Sequence, residues 1–326
     1  MTLATNALTT FGVVGGREQL ANKIYNISPK DTPFMNRIGR MKAEQTYVEW
    51  QIESLANVNG SNAQLEGDVV SPSAQTQPTR ISNTCQISYK DVSISGTAEV
   101  TNKAGRVSEM ARLLAKKTLE LKRDQETILT NNQAPVPAAH PSNPTGGSAS
   151  TTVARKLRPY EGWITTNDDR GSGGSDGTST AAATDASGAN QRAFTETLMQ
   201  NVMQLCWTAG GSPDTMLVGG FNKRVFSGFT GNSQRIDEGE DKKLTAALDV
   251  FVSDFGTLRA VASRFSRAQS ALIFDSEYWA LATLRGYKTK DLASSGDYEW
   301  AMITTEYTLI AKNEASSGIV ADLTSS

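Results

Sequence analysis

The chain has 326 residues, with 32 Lys and Arg against 34 Asp and Glu, a formal net charge of −2, His 1 and Cys 2. That balance leaves no basic excess for gripping phosphates, which argues against DNA binding, and one imidazole with two distant thiols effectively excludes a tetrahedral zinc site. The longest unbroken apolar run, Tyr278 to Ala282, is far short of the ~20 residues a membrane-spanning helix needs. A soluble protein made in a cytosol is expected, since no charged n-region or apolar h-region opens the sequence. Cys85 and Cys206 then read as buried free thiols. Hydrophobic residues make up only 38% of the total, and much of the missing share is Ser and Thr, as expected of long exposed loops. The length suits two domains, or one large domain with insertions.

Residues 1–25 show no periodicity, and Gly12, Gly15 and Gly16 break what pattern exists, so an extended arm is expected. In the stretch that follows, Pro29, Asp31 and Pro33 suit turns, while Phe34, Met35 and Ile38 can anchor a short helix. From Tyr47 the pattern alternates, with Val48, Trp50 and Ile52 on one face, which predicts a strand. Polar residues then run from Ala56 to Arg80 before alternation returns at Ile81–Tyr89. Because Cys85, Ile87 and Tyr89 are odd-numbered while Val92 and Ile94 are even, a bulge is expected near Lys90 and Asp91. The segment reads as a long hairpin with a tip of about 25 residues, large for a compact domain.

One helix is predicted over residues 105–131, its narrow stripe formed by Val107, Met110, Leu114, Leu121 and Ile128. Lys116–Glu120 and Lys122–Glu126 are expected to pair on its wet side. Residues 132–192 read as a mobile insertion, since Gly171–Gln191 is nearly all Gly, Ser, Thr, Ala and Asp and has little to bury. The remainder reads as packed α/β structure. Helices are predicted over 194–207 and 221–229, strands over 215–218, 250–252, 258–262 and 271–274, a long strand over 300–310 and a short one over 318–320.

Catalytic chemistry is nearly absent from the pattern. Gly173 to Gly177 matches G-x-S-x-G, which makes a serine hydrolase on Ser175 the alternative enzyme reading. The segment lacks the strand and helix that hold such a serine, and the single imidazole, His140, lies upstream of it. The same glycines form no phosphate loop, and Asp168, Asp169 and Asp176 lack calcium-loop spacing. Glu109, Glu120 and Glu126 read as a solvated helix face. The aromatic residues Trp50, Tyr278, Trp279 and Trp300 suit core or interface packing better than a sugar platform. No catalytic residue, cofactor or metal ligand is assigned.

The hairpin instead asks for a neighbour, because an isolated two-stranded ribbon is marginal in water. Inter-subunit contacts are expected at Phe34, Met35, Val48, Trp50, Ile52, Leu65, Ile87 and Tyr89. Three stretches carry a resemblance: NISPKDTPFMNRIG (26–39), LVGGFNKR (217–224), and 275–320 with DSEYWALATLRGYKTKDLASSGDYEW and TEYTLIAKNEASSGIV. With the order of elements, they make the sequence similar to major capsid proteins of tailed bacteriophages, with the Hong Kong 97 type of fold.

That resemblance implies an α+β fold with an N-terminal arm (1–42), an extended β-hairpin loop (43–99) and a peripheral domain (100–192) containing a spine helix. An α/β axial domain (193–285), a return to the peripheral domain (286–314) and a closing strand (315–326) would follow. It further implies a homo-oligomer of hexamers and pentamers in the icosahedral capsid of a virion, assembled in host cytoplasm around DNA that it does not bind specifically. The implied partners are a separate scaffolding protein, a portal and a possible decoration protein. The encapsulating compartments that share the fold, or a tail structural protein, are the other readings. No Lys lies between Lys42 and Lys90, so the isopeptide weld that some members make from a loop Lys is not expected, and the shell should be held non-covalently.

Overall fold

A computed structural model describes residues 14, 21, 23–67, 69, 74–137, 153–229 and 249–325. In sequence order its elements are α1 (Pro33–Arg37), β1 (Gly39–Lys42), β2 (Tyr47–Ile52), β3 (Thr79–Thr84), β4 (Gln86–Ser95), α2 (Gly96–Val100), α3 (Glu109–Thr130), α4 (Tyr160–Trp163) and β5 (Asp168–Asp169). There follow α5 (Glu196–Thr208), β6 (Thr215–Val218), α6 (Gly220–Phe226), β7 (Val250–Ser253), β8 (Gly256–Ala262), β9 (Ala271–Phe274), β10 (Trp279–Leu292), β11 (Tyr298–Ala311) and β12 (Gly318–Val320).

Three sheets result: a four-stranded one in the order β1-β10-β11-β4, a six-stranded one in the order β5-β12-β9-β6-β8-β7, and the two-stranded ribbon β2-β3. The six-stranded sheet is covered on both faces, which explains why TMLV and ALIF are buried at every position rather than alternating. Met216, Val218, Ala271 and Ile273 meet Val202, Met203 and Cys206 of α5 and Phe226 of α6 in one core. Leu217, Leu272 and Phe274 point the other way, into a second core with Phe34, Leu129, Tyr160, Trp279 and Leu309. That second core joins the two larger sheets. Tyr160 sits at its centre, with its ring 4.5 Å from Trp279 and its hydroxyl 2.8 Å from the Ile273 carbonyl and 2.9 Å from that of Gly318.

Helix α3 starts later than its apolar stripe suggests. Ser108 caps it by accepting from the Ala111 N–H at 3.2 Å, and the Glu99 carboxylate accepts from the Glu109 N–H. Its 22 residues extend about 33 Å along the face of the four-stranded sheet that carries Val92 and Ile94. Lys90 pairs there with Asp124 at 2.7 Å, and Tyr287 donates to Gln125. Lys116 pairs with Glu120 as expected, but Lys122 does not pair with Glu126. It lies over the Tyr287 ring instead.

The expected bulge at Lys90 and Asp91 is absent. β4 pairs with β11 in one unbroken register from Gln86↔Tyr307 to Ser95↔Tyr298, its even-numbered side chains facing α3. Ile87 and Tyr89 are apolar residues on the outward face, and that is what mimicked a change of parity. The hairpin is also shorter than expected. At Cys85 the backbone leaves the ribbon, so residues 86–95 belong to a sheet and not to a projecting loop.

Residues 132–192 are likewise not a loose insertion where they are described. Leu157, Tyr160, Trp163 and Ile164 are core residues. The polar part is tied by hydrogen bonds: the two Asp322 carboxylate oxygens accept from Gly171 N at 2.9 Å and Ala186 N at 2.8 Å, and Asn132 exchanges two bonds with Ala183. The glycines there meet a demand for close approach. A Cβ at Gly171 would lie 2.6 Å from the Asn190 carbonyl oxygen, and one at Gly174 would lie 2.4 Å from Asp322 Oδ2.

Candidate assembly surfaces

Of the eight residues expected at inter-subunit contacts, two are interior. Phe34 and Met35 are buried in the core that joins the sheets. Their backbone N–H groups, two of the unpaired donors at the start of α1, donate to Glu126 Oε1 at 2.7 Å and Oε2 at 2.9 Å. Glu126 is therefore not on a solvated face. It is fully buried, and that burial, outweighing the two donors, pushes its carboxyl up to about 7. The expected role of Phe34 and Met35 at a contact between subunits is corrected: they fix the entry of this segment against α3.

Val48 and Trp50 are half-covered by their own subunit. Trp50 donates its Nε1–H to the Ala311 carbonyl at 2.8 Å and packs on Trp163 at 5.5 Å between ring centres. Val48 and Trp50 also rest on a small core of Ala43, Cys85, Ala280, Ala282 and Ile310. The root of the ribbon thus has the support that its sequence does not reveal. Ile52 stands half-buried at the outer end of the ribbon, where it pairs with Thr79.

Beyond that pair the situation reverses. Leu55 is 97% exposed, Val58 99% and Leu65 80%. On the outward face of the four-stranded sheet, Ile87 and Tyr89 are exposed, and farther along the same face so is Trp300, whose Nε1–H reaches Asp91 Oδ2 at 3.4 Å. Ile24, Tyr25 and Ile27, before α1, are exposed as well. For Trp300 the sequence allows core or interface packing without choosing between them. Its position opposite Ser93 in the β11–β4 register places it on the Ile87–Tyr89 face, a pairing that alternation within a single strand does not reveal.

The hydrolase reading finds no support at Ser175. That residue forms an isolated bridge with Thr184, two bonds of 2.9 Å, rather than a strand-to-helix elbow. His140 and most of residues 1–25, the first part of the expected arm, lie outside the described residues. No group of metal-ligating side chains and no helix long and apolar enough to cross a membrane occurs among the described residues. Among the described residues the buried carboxylates are committed to structure. Glu306 receives Arg155 at 2.6 Å and Arg285 at 2.8 Å, while buried Glu161 receives Arg267 at 2.6 Å. Burial drives both thiols, Cys85 and Cys206, up to about 12, which leaves them inert.

Comparison with known proteins gives a consistent answer. Residues 3–324 match the family described as SU10 major capsid protein. The major capsid protein of Escherichia phage Phieco32 is 29% identical over 335 residues, covering 94% of each sequence. Among solved structures, the capsid of a native GTA particle aligns with a TM-score of 0.62 at 11% identity, covering 98% of this protein and 100% of that one. The capsid of the cyanophage P-SCSP1u aligns with a TM-score of 0.57 at 10% identity, covering 99% and 100%. The fold is thus the Hong Kong 97-like capsid fold that the sequence resemblance implied.

Proposed function

The protein belongs to the SU10 major capsid protein family, and from that premise we propose how it closes the shell of a phage head. Copies assemble as hexamers and pentamers, held non-covalently through the ribbon tip and the outward face of the four-stranded sheet. The observation that carries this reading is the set of apolar side chains at Leu55, Val58, Leu65, Ile87 and Tyr89 that the subunit itself leaves in water. Burying them against sister copies removes apolar surface at roughly 25 cal/mol per Å², and a closed lattice repeats the gain at every contact.

In this reading α3 is the spine of a peripheral part formed with the four-stranded sheet, and the six-stranded sheet is the axial part. A separate scaffolding protein guides closure, a portal occupies one vertex, and a decoration protein is a possible further partner. DNA is enclosed without specific contact, in keeping with the net charge of −2. Assembly takes place in host cytoplasm. With no Lys between positions 42 and 90, cohesion comes from many small burials rather than a weld.

The test is a variant with Ile87→Asp and Tyr89→Asp together. Both positions face outward, so the expected product is a folded subunit with an unchanged circular dichroism spectrum that forms no closed particles in electron micrographs. Normal shells from that variant would overturn the reading.

A further inference from the structure

The sequence contains one Asn-Gly step, Asn59–Gly60, and it lies in the ribbon tip. Both residues are exposed, and nothing lies within 4 Å of the place where a Cβ on Gly60 would be. Among the described residues nothing accepts from the Gly60 N–H, so no hydrogen bond has to break before that nitrogen can move. Asn59 Oδ1 already accepts the Ser61 N–H at 2.9 Å, a local turn bond of the kind asparagine favours. That bond polarises the side-chain amide and stabilises negative charge developing on its oxygen.

From this geometry we propose that Asn59–Gly60 is a self-modification site at which the protein deamidates through its own backbone. The Gly60 nitrogen gives its proton to solvent base and attacks Asn59 Cγ, forming an N–Cγ bond. The Cγ–Nδ2 bond then breaks and Nδ2 leaves as ammonia, closing a five-membered imide. Water opens the ring. Cleavage of the new Cγ–N bond gives aspartate at position 59. Cleavage of the original peptide bond to the Gly60 nitrogen instead gives isoaspartate, which routes the backbone through the former side group and inserts a methylene into it. Water is the only co-reactant, and no oxidation state changes.

The protein holds its own counter-example. Asp176–Gly177 presents a similar pair, but Asp176 Oδ1 is held by Arg170 Nε at 2.7 Å and Gly177 is buried, with Gly162 Cα 3.0 Å from where its Cβ would be. The cyclic intermediate has no room to form there. At the tip it has. The product places a carboxylate next to Val58 on an apolar surface, which costs desolvation wherever that surface is buried.

The experiment incubates the purified full-length protein in mildly alkaline buffer and follows the tip peptide by mass spectrometry, with isoaspartyl methyltransferase labelling as the second readout. Asn59 is expected to convert first, ahead of its neighbours Asn57 and Asn62, to aspartate and isoaspartate together. Both the mass change and the methyl label should be lost in Gly60→Ala and in Asn59→Gln. Because the residues make no packing contact, both variants keep the parent circular dichroism spectrum. Conversion at Asn57 or Asn62 with Asn59 intact would overturn the proposal, as would undiminished conversion in Gly60→Ala. Neither outcome depends on whether the shell closes.

Discussion

Glu126 shows how a single residue can be misread from its neighbours. On the helical wheel it sits four residues from Lys122, yet the carboxylate turns inward to satisfy Phe34 and Met35. Its folded-state value, raised to about 7 from 4.5 by burial, means that the folded protein binds more protons than the unfolded one between those two values. Its stabilising contribution is therefore complete below about pH 4.5 and is lost as pH rises through 7. Glu126→Gln removes this titration and leaves one buried N–H facing a donor, at a cost of about 1–3 kcal/mol. Urea melts across this pH range should show the variant less stable at acid pH, its deficit narrowing as pH rises while its own profile stays flatter. A deficit that widens with pH would refute the assignment. Nothing in the sequence near residue 126 names its partners, because they lie about ninety positions away and expose only backbone N–H groups.

Elements are legible where the sequence carries a clear period or a short apolar run bounded by turn residues. β2, β3, α5 and β11 announce themselves by period, and β6 and β9 by short apolar runs bounded by turns. β10 gave no signal, although it is one of the two longest strands. Its first residues, WALA, are buried on both faces, its later ones, YKTKD, are exposed, and Ala and Gly supply no strand preference. The polar segment 171–191 gives no sign of its order in sequence for a related reason. Composition measures how much apolar surface a segment can bury, but not how many hydrogen bonds a distant carboxylate such as Asp322 will supply. Gly171→Ala tests the corrected view, since its Cβ would meet the Asn190 carbonyl oxygen at 2.6 Å. Overpacking of this kind costs about 1–3 kcal/mol, and limited proteolysis should then cut within 171–191 where the parent protein resists. Parent and variant cut equally fast would mean that the segment is not held as described.

Across the whole molecule, core residues and exposed apolar residues are interleaved along the sequence. The cores recruit residues from every part of the described sequence, and the exposed apolar residues include groups at the ribbon tip, on the outward face of β4 and β11 and in the segment before α1, with others such as Trp207 on α5 and Val252 on β7. An assembly driven by those side groups weakens on cooling and strengthens in sulfate, because both conditions act on apolar hydration. Light scattering at matched protein concentration is expected to rise with temperature and with added sulfate below the unfolding range, and a rise on cooling would contradict it. Of the residues expected at contacts, Leu65, Ile87 and Tyr89 are exposed in the subunit, whereas Trp50 is engaged by a residue of its own subunit some 260 positions later, which no local pattern announces. That engagement has a mechanical meaning. The ribbon is a cantilever clamped at its root, where the Trp50 indole holds Ala311 at the end of β11. A neighbour pulling on the tip loads that clamp first, and β11 passes the force to β10, β4 and, through Thr305 and Gln125, to α3. Load arriving at the ribbon is thereby shared among several hydrogen-bonded elements rather than falling on one.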